Sequence, residues 1–279
     1  MTPNNPLKQY FRQPSIYIRL PSKGNFYPDG TIDIPPNGEI PVLPMTAVDE
    51  ISYRTPDALF NGAAMVDVIQ SCCPNIKNAW AIPAIDVDSI LVGIRLASYG
   101  HDMDTSSQCP KCNHQHDFTV DLRSVLDRIQ IPDYNNCVRH GDLEFYFRPM
   151  NYQNLNENNQ LQFEQQKIMS MLPAAELDDN DKVKNVSDAL KRLTAITIKA
   201  LCQSIAVIKT PSAMVSEPEF IEELMNNCDR KVFNSVRDHI VELKAQAELQ
   251  PLSLKCPECE NQYEQNITLD MTSFFEVAS

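Results

Sequence analysis

Glycine is scarce in this chain, with 7 residues in 279. Phosphate-cradling loops need several glycines at fixed spacing, and neither a Walker-type nor a dinucleotide-binding fingerprint occurs. The nearest approach, "SKGNFYP" from Ser22, lacks a second glycine and the Lys-Ser/Thr ending, so it reads as a turn. Long apolar runs are missing too. Nothing approaches the ~18 consecutive apolar residues of a membrane span. Residues 1–20, dotted with Pro, Asn and Arg, hold no stretch suited to the centre of a secretory leader. Positive charge is in deficit: 24 Lys and Arg stand against 37 Asp and Glu, a formal net charge of −13. That balance argues against a general binder of nucleic acid or anionic membrane, which needs a basic face. Together these absences imply folding in a reducing cytoplasm, where cysteines serve as thiols or metal ligands more often than as disulfides.

Histidine is sparse as well, at five residues, and none joins a nucleophile–base–carboxylate set. His101 follows a predicted helix, His114 and His116 sit in a polar loop, His140 lies in a turn, and His239 lies on an amphipathic helix. Asp86 and Asp88 bracket a helix start, which capping by Asp86 explains without catalysis. "LDDND" from Leu177 lacks the ligand period and central glycine of a divalent-cation loop and reads as a charged connector. No enzyme is expected.

What is present is organised. Hydrophobic content of 43% and charged content of 22% are those of a globular protein, and the length allows one large domain or two ordinary ones. Ten of the 20 prolines precede residue 60. That segment predicts an extended arm with short edge strands at 31–34 and 40–43, because proline removes ladder donors. Such an arm packs on its own body or reaches a neighbour. Helices are expected around Met65–Cys72, ending before Pro74, and from Asp86 along a face of Val87, Ile90, Leu91, Ile94 and Ala97 to a Gly100 cap. "CVRHGDLEFYFRP" predicts a hairpin turning at His140-Gly141-Asp142 and burying Leu143, Phe145 and Phe147. Residues 151–250 are mainly helical. They hold a polar helix, an amphipathic one on Val186, Leu190, Leu193, Ala200 and Leu201, and a strand–turn–strand in "AVIKTPSAMV". A capping-box start at Ser216 with Pro218 in the first turn follows, then a last helix on Phe233, Val236, Ile240 and Leu243.

Nine cysteines include two matching turns, "CPKC" at Cys109 and "CPEC" at Cys256. Each is followed by a polar loop and an alternating strand, Thr-Val-Asp-Leu in one and Thr-Leu-Asp-Met in the other. Two residues between thiolates let one tight turn aim both sulfurs at one ion, proline pre-sets the turn, and amides beyond it can bond to the sulfurs. A structural site needs four ligands, so Cys109, Cys112, Cys256 and Cys259 are expected to share one Zn²⁺ per chain. A closed Cys₄ site leaves no position for water, so the metal would be structural, a staple across a long loop. A rubredoxin-like iron or an iron–sulfur cluster uses the same four thiolates, and spacing does not separate these. His114 and His116 could instead complete a site with Cys109 and Cys112, but the second turn offers only Asn261 and Tyr263 at the matching places. A thioredoxin-like redox motif would need a βαβ setting that the pattern lacks. Reduced core thiols are the remaining alternative for the pairs. Cys72, Cys73, Cys137, Cys202 and Cys228 read as small apolar core residues.

The first half carries a resemblance. "LPSKGNFYPDG", "GEIPVLPMTAVDE", "TPDALFNGAAMVDVIQSCCPNIKNAW", "IDVDSILVGIRLASYG" and the following "CPKC" resemble, in order over roughly residues 18–125, the baseplate hub and hub-assembly proteins of T4-like contractile-tailed bacteriophages. The likeness returns at "CPEC" and the terminal "SFF", while residues 151–250 carry no matching motif. The resemblance implies a virion structural protein or assembly factor of the central tail baseplate, assembled in the host cytoplasm. Its partners would be other hub, wedge or tail-tube proteins and further copies of itself in a symmetric assembly, with no nucleic acid and no membrane span. A reading of another class is a zinc-ribbon nucleic-acid-binding adaptor. It would need a basic, aromatic-studded face near the turns, for which Lys111, Arg123, Arg128 and Lys255 are sparse. The expected fold is α+β, mixed helices and short antiparallel strands with a split zinc ribbon and a helical insertion. Its parts are an arm at 1–60, a helical and hairpin region with the first turn at 61–150, a mainly helical region at 151–251, and the second turn with its tail at 252–279.

Overall fold

The computed structural model describes residues 5–53, 62–171 and 179–266. The chain is α+β and divides into two compact units. One gathers the described residues up to 79 with 85–130 and 248–266. The other gathers 80–84 with 131–247.

In the first unit a 3-10 turn, Pro6–Tyr10, is capped by the Asn5 side chain accepting from the Leu7 amide. Strand β1 (Ile16–Ile18) pairs antiparallel with β2 (Ile40–Val42), Tyr17 facing Pro41. A two-stranded sheet is all edge, so proline is tolerated there. The proline-rich segment packs on its own unit: Ile18, Leu20, Ile40 and Val42 are buried. Helix α1 (Ala47–Tyr53) opens on a closed capping box. Asp49 accepts from the amide and hydroxyl of Thr46 (2.7 and 2.8 Å), and Thr46 Oγ1 accepts from the Asp49 amide (3.2 Å). Helix α2 (Ala63–Cys72) follows and stops before Pro74.

Helix α3 (Ala84–Tyr99) is the centre of this unit, buried on nearly every side from Ile85 to Arg95. The expected single apolar face is therefore too narrow: Ser89, Val92 and Gly93 are buried as well. Gly93 explains how. A Cβ there would stand 3.1 and 3.2 Å from Ile18 and 3.7 Å from Val42, so the β1–β2 sheet lies directly on the helix backbone.

Asp86 is not the cap. The helix starts directly after Pro83, which places Asp86 in the first turn and fully buried. Its carboxylate accepts from the amide and hydroxyl of Ser22 and from the Tyr27 hydroxyl at 3.0 Å. It thereby holds the "SKGNFYP" turn, in which Lys23, Gly24 and Phe26 all have positive φ. Burial raises Asp86 to about 6, against the lowering effect of these hydrogen bonds. A folded-state value above the unfolded one means that the native state binds more protons between about pH 4 and 6, so stability falls as pH rises through that window. Half-buried Asp88 shifts the same way, through desolvation, and Asp49 the opposite way. Asp86→Asn isolates the effect. In denaturant titrations from pH 4 to 7, wild type should lose up to about 3 kcal/mol relative to that variant. Parallel pH profiles would refute it.

Strand β3 (Asp102–Gln108) and β4 (Gln115–Asp121) form the first long hairpin. Helix α4 (Leu122–Arg128) follows, with Asp121 accepting from the Arg123 amide as its cap.

The second unit holds a four-stranded antiparallel sheet, ordered β5 (Val138–His140), β6 (Leu143–Phe147), β7 (Ile205–Lys209), β8 (Met214–Val215). The expected hairpin forms, but its turn is Gly141-Asp142 alone, because His140 is the last residue of β5 and pairs with Leu143. Between β6 and β7 runs a helical pair, α5 (Tyr152–Met171) and α6 (Asp179–Gln203). On α6 the expected Leu201 is buried and Val186, Leu193 and Ala200 are half-buried, while Leu190 is half exposed and the burial extends instead to Ala189, Ile196 and Cys202. Polar α5 is pinned by buried Asn158, whose amide donates to Gln203 Oε1 at 2.8 Å. The predicted connector at 177–182 is helical from Asp179 and lies outside the described residues before it. Helix α7 (Pro218–Asn227) is entered through Glu217, not Ser216. The Ser216 amide instead donates to the Glu217 carboxylate at 3.0 Å, so the expected capping box does not form. Helix α8 (Arg230–Ala247) covers the sheet with Val232, Val236, Ile240 and Leu243 in a core shared with Phe145 and Ile205.

The chain then returns to the first unit through a second hairpin, β9 (Leu252–Lys255) and β10 (Gln262–Gln265). The predicted return strand at 268–271 lies outside the described residues.

Candidate metal centre

Both Cys-Pro-x-Cys turns sit at hairpin tips, one between β3 and β4 and the other between β9 and β10. Their backbones are built alike. The Cys109 amide donates to the His114 carbonyl (3.0 Å) and the Asn113 amide to the Cys109 carbonyl (2.9 Å). In the second turn the Cys256 amide donates to the Asn261 carbonyl (2.9 Å) and the Glu260 amide to the Cys256 carbonyl (3.0 Å). Asn113 and Glu260, each directly after the second cysteine, both take positive φ, at 59° and 55°. A side chain rarely adopts that conformation, and its recurrence at the same place marks two copies of one local structure.

The two tips meet. Cys109, Cys112, Cys256 and Cys259 bring their sulfurs within 4.8 Å of one another. Cys109 Sγ lies 3.7 Å from Cys259 Sγ, and Cys112 Sγ lies 3.6 Å from Cys256 Sγ. Disulfides are near 2.05 Å, so these are not bonded sulfurs. A tetrahedral ion with Zn–S distances near 2.3 Å has sulfur–sulfur edges of about 3.8 Å, which these separations match. The quartet could hold one tetrahedral ion. The grouping is of sulfurs alone: among the described residues no histidine joins it. His114 instead stacks toward His116, and His116 meets Tyr263 edge-on.

The electrostatics suit thiolate ligands. Burial opposes ionisation of Cys109, but hydrogen bonds from the amides of Cys112 and Lys111 outweigh it and bring the thiol down to about 6. At Cys112 the amide of His114 favours the thiolate, yet burial and the three facing sulfurs push it up to about 12. Four sulfurs cannot share one site as anions without a cation between them. Elsewhere burial raises Cys72 and Cys202 to about 11, Cys73 further still, and Cys228 in the same direction.

A polar clasp beside the sulfurs was not foreseen. Buried Ser107 donates to Gln265 Oε1 at 2.8 Å and accepts from the Tyr263 hydroxyl at 2.8 Å, joining β3 to β10. His116 and Tyr263, which the sequence register of the two turns sets at matching places 147 positions apart, lie 3.4 Å from each other beside this clasp.

A protein-family comparison matches residues 31–276 to the T4 bacteriophage base plate proteins. The chain belongs to that family. The matched stretch spans both cysteine hairpins, the four-stranded unit and the Asp86-held α3 of this baseplate protein. Comparison with curated proteins gave no match, and neither did comparison with solved structures. No helix among the described residues of the baseplate protein is long and apolar enough to cross a membrane.

Proposed function

We propose that this baseplate protein is a structural part, or an assembly factor, of the central hub of the tail baseplate, acting through protein contacts and not through catalysis. We further propose that Cys109, Cys112, Cys256 and Cys259 hold one structural Zn²⁺. The family match carries the first reading. The four-sulfur geometry supports the second. The ion's role is to fasten residues 248–266 to the β3–β4 hairpin across the 131–247 insertion. On this reading the partners are other hub, wedge or tail-tube proteins and further copies of the chain, assembled in the host cytoplasm and carried in the virion.

Location is tested by tagging the chain during infection and separating hub, wedge and complete-tail fractions for mass spectrometry. The chain should appear in hub intermediates. Recovery in wedge fractions alone would sink the hub reading. Presence in hub intermediates but absence from finished tails would assign it to assembly.

A further inference from the structure

The two cysteine hairpins are separate two-stranded sheets, so no ladder between their described strands fixes one against the other. Among the described residues, the polar contacts that cross between them are made by four side chains, besides the sulfurs themselves. Ser107 on β3 stands directly opposite His116 on β4 in the hairpin register. Tyr263 and Gln265 alternate onto one half-buried face of β10.

The hydrogen-bonding roles in this group follow from one another. Gln265 Nε2 donates to the Asn266 carbonyl (3.3 Å), which leaves Oε1 as the end that faces Ser107. Oε1 only accepts, so the single Ser107 hydroxyl proton goes to it at 2.8 Å. Tyr263 must then donate to Ser107 Oγ, also at 2.8 Å. Its oxygen is left to accept, so across the 3.4 Å to His116 the proton belongs to His116 Nε2. His116 Nδ1, buried without a partner among the described residues, is the bare nitrogen of the neutral ring. Phe118 and Tyr263 flank that ring. The relay runs one way, from His116 through Tyr263 and Ser107 to Gln265, and each of its three bonds passes from one hairpin to the other.

Its place in the hairpins matters. Ser107 is two residues before Cys109, about 7 Å along the strand, and Tyr263 is four residues after Cys259. A tilt between the hairpins at the relay therefore reaches the sulfurs almost undamped. A slip of one residue would turn Tyr263 and Gln265 to the opposite face, so the relay admits a single register.

We infer that His116, Ser107, Tyr263 and Gln265 are positioning residues of the four-sulfur site: they fix how one turn meets the other and thereby tighten binding of the ion. The inference rests on the zinc reading above. Ordering the hairpins through side chains removes part of the entropy that ion binding otherwise has to overcome. Residues around a metal's ligands typically change its affinity by roughly 10–100-fold.

Zinc affinity of the full chain, measured by competition with a chromophoric chelator, tests this. Tyr263→Phe removes the hydroxyl at the centre of the relay and should weaken zinc binding about 10-fold, with Ser107→Ala and Gln265→Ala similar. The Ser107→Ala, Tyr263→Phe double variant should bind little more weakly than either single variant, because both break the same relay. Thr119→Val, which removes an exposed bond to Asp104 in the same hairpin (2.7 Å), should leave the affinity unchanged. Cobalt(II) in place of zinc should give the same tetrahedral four-sulfur spectrum throughout, so that affinity changes while the ligand set does not. Nitrogen NMR of the neutral His116 ring should place its proton on Nε2. Circular dichroism checks the fold, and Gln265→Ala, half-buried in the terminal hairpin, carries the test if buried Ser107 does not tolerate replacement. A wild type that binds no zinc sinks the metal reading and this inference with it. A wild type that binds zinc, with relay variants that bind it as tightly, overturns the positioning role alone. So does a loss in Thr119→Val equal to that in Tyr263→Phe, or a His116 proton on Nδ1.

Discussion

Replacing Cys256 and Cys259 with serine should empty the metal centre and release the second hairpin. Purified wild type is expected to carry about one zinc per chain by elemental analysis, and the double variant none. The effect should be large because a structural site in which no ligand pair suffices alone couples binding to folding. Structural zinc in small domains contributes on the order of 10 kcal/mol. Here it would close a loop that contains the whole 131–247 segment. The Ser107–Tyr263–Gln265 clasp would remain, but two hydrogen bonds offset little of that loss. Proteolysis after Lys255 should therefore become fast in the variant and in chelator-treated wild type, and slow again on adding zinc. Because the ligands must be deprotonated, zinc should be lost as pH falls. Two metals per chain would overturn the shared site, as would full metal retention by a truncation ending near residue 250. A coloured protein with thiolate-to-iron absorption would replace zinc by iron in the same four-sulfur set.

Much of this centre was legible in the sequence because its information is local. A Cys-Pro-x-Cys turn needs only its own few residues to set the sulfurs, and two turns of the same form invite pairing. The strands leading into the turns were harder to see. β3 is "DMDTSSQ", in which Met103 is the only large apolar residue, so alternation gave little signal. Its pairing comes from the register imposed by the turn, Gln108 facing Gln115 and Asp102 facing Asp121. The β5–β6 hairpin was readable because glycine fixed the turn and Phe145 and Phe147 alternate. Asp86 was misread for a physical reason. An acidic residue near a helix start suits a cap, and only the tertiary position of Ser22 and Tyr27, about sixty residues away in sequence, makes it a buried acceptor. The packing of the proline-rich segment was hidden in the same way, since it depends on Gly93 offering bare backbone to Ile18 and Val42. Leu190 shows the remaining limit: a helical stripe has a width, and which edge of it is covered depends on the neighbouring helix.

Phe145→Ala should be the most damaging single change in the sheet-containing unit, and it should leave the metal in place. Phe145 is fully buried and lies between Val138 on β5 and Ile208 on β7 in the sheet register. Its ring fills the core beneath α7 and α8 with Ile205, Ile221 and Val236. Truncation removes the transfer free energy of the ring and leaves a cavity that a regular sheet closes poorly, a loss of about 3–5 kcal/mol. Phe145→Leu, which keeps most of the volume, should cost less than half of that. Denaturant titration, followed by the signal of Trp80, which stacks on Tyr152 in this unit, would measure both. All four sulfurs belong to the other unit, so zinc content should stay near one per chain in the alanine variant. Loosening the insertion only lengthens the effective loop between the two hairpins, and loop-closure entropy grows slowly with length. Zinc lost in step with the destabilisation would show that the insertion must be folded for the cysteine hairpins to meet. A loss below about 1 kcal/mol would show that Phe145 is not the keystone of its core.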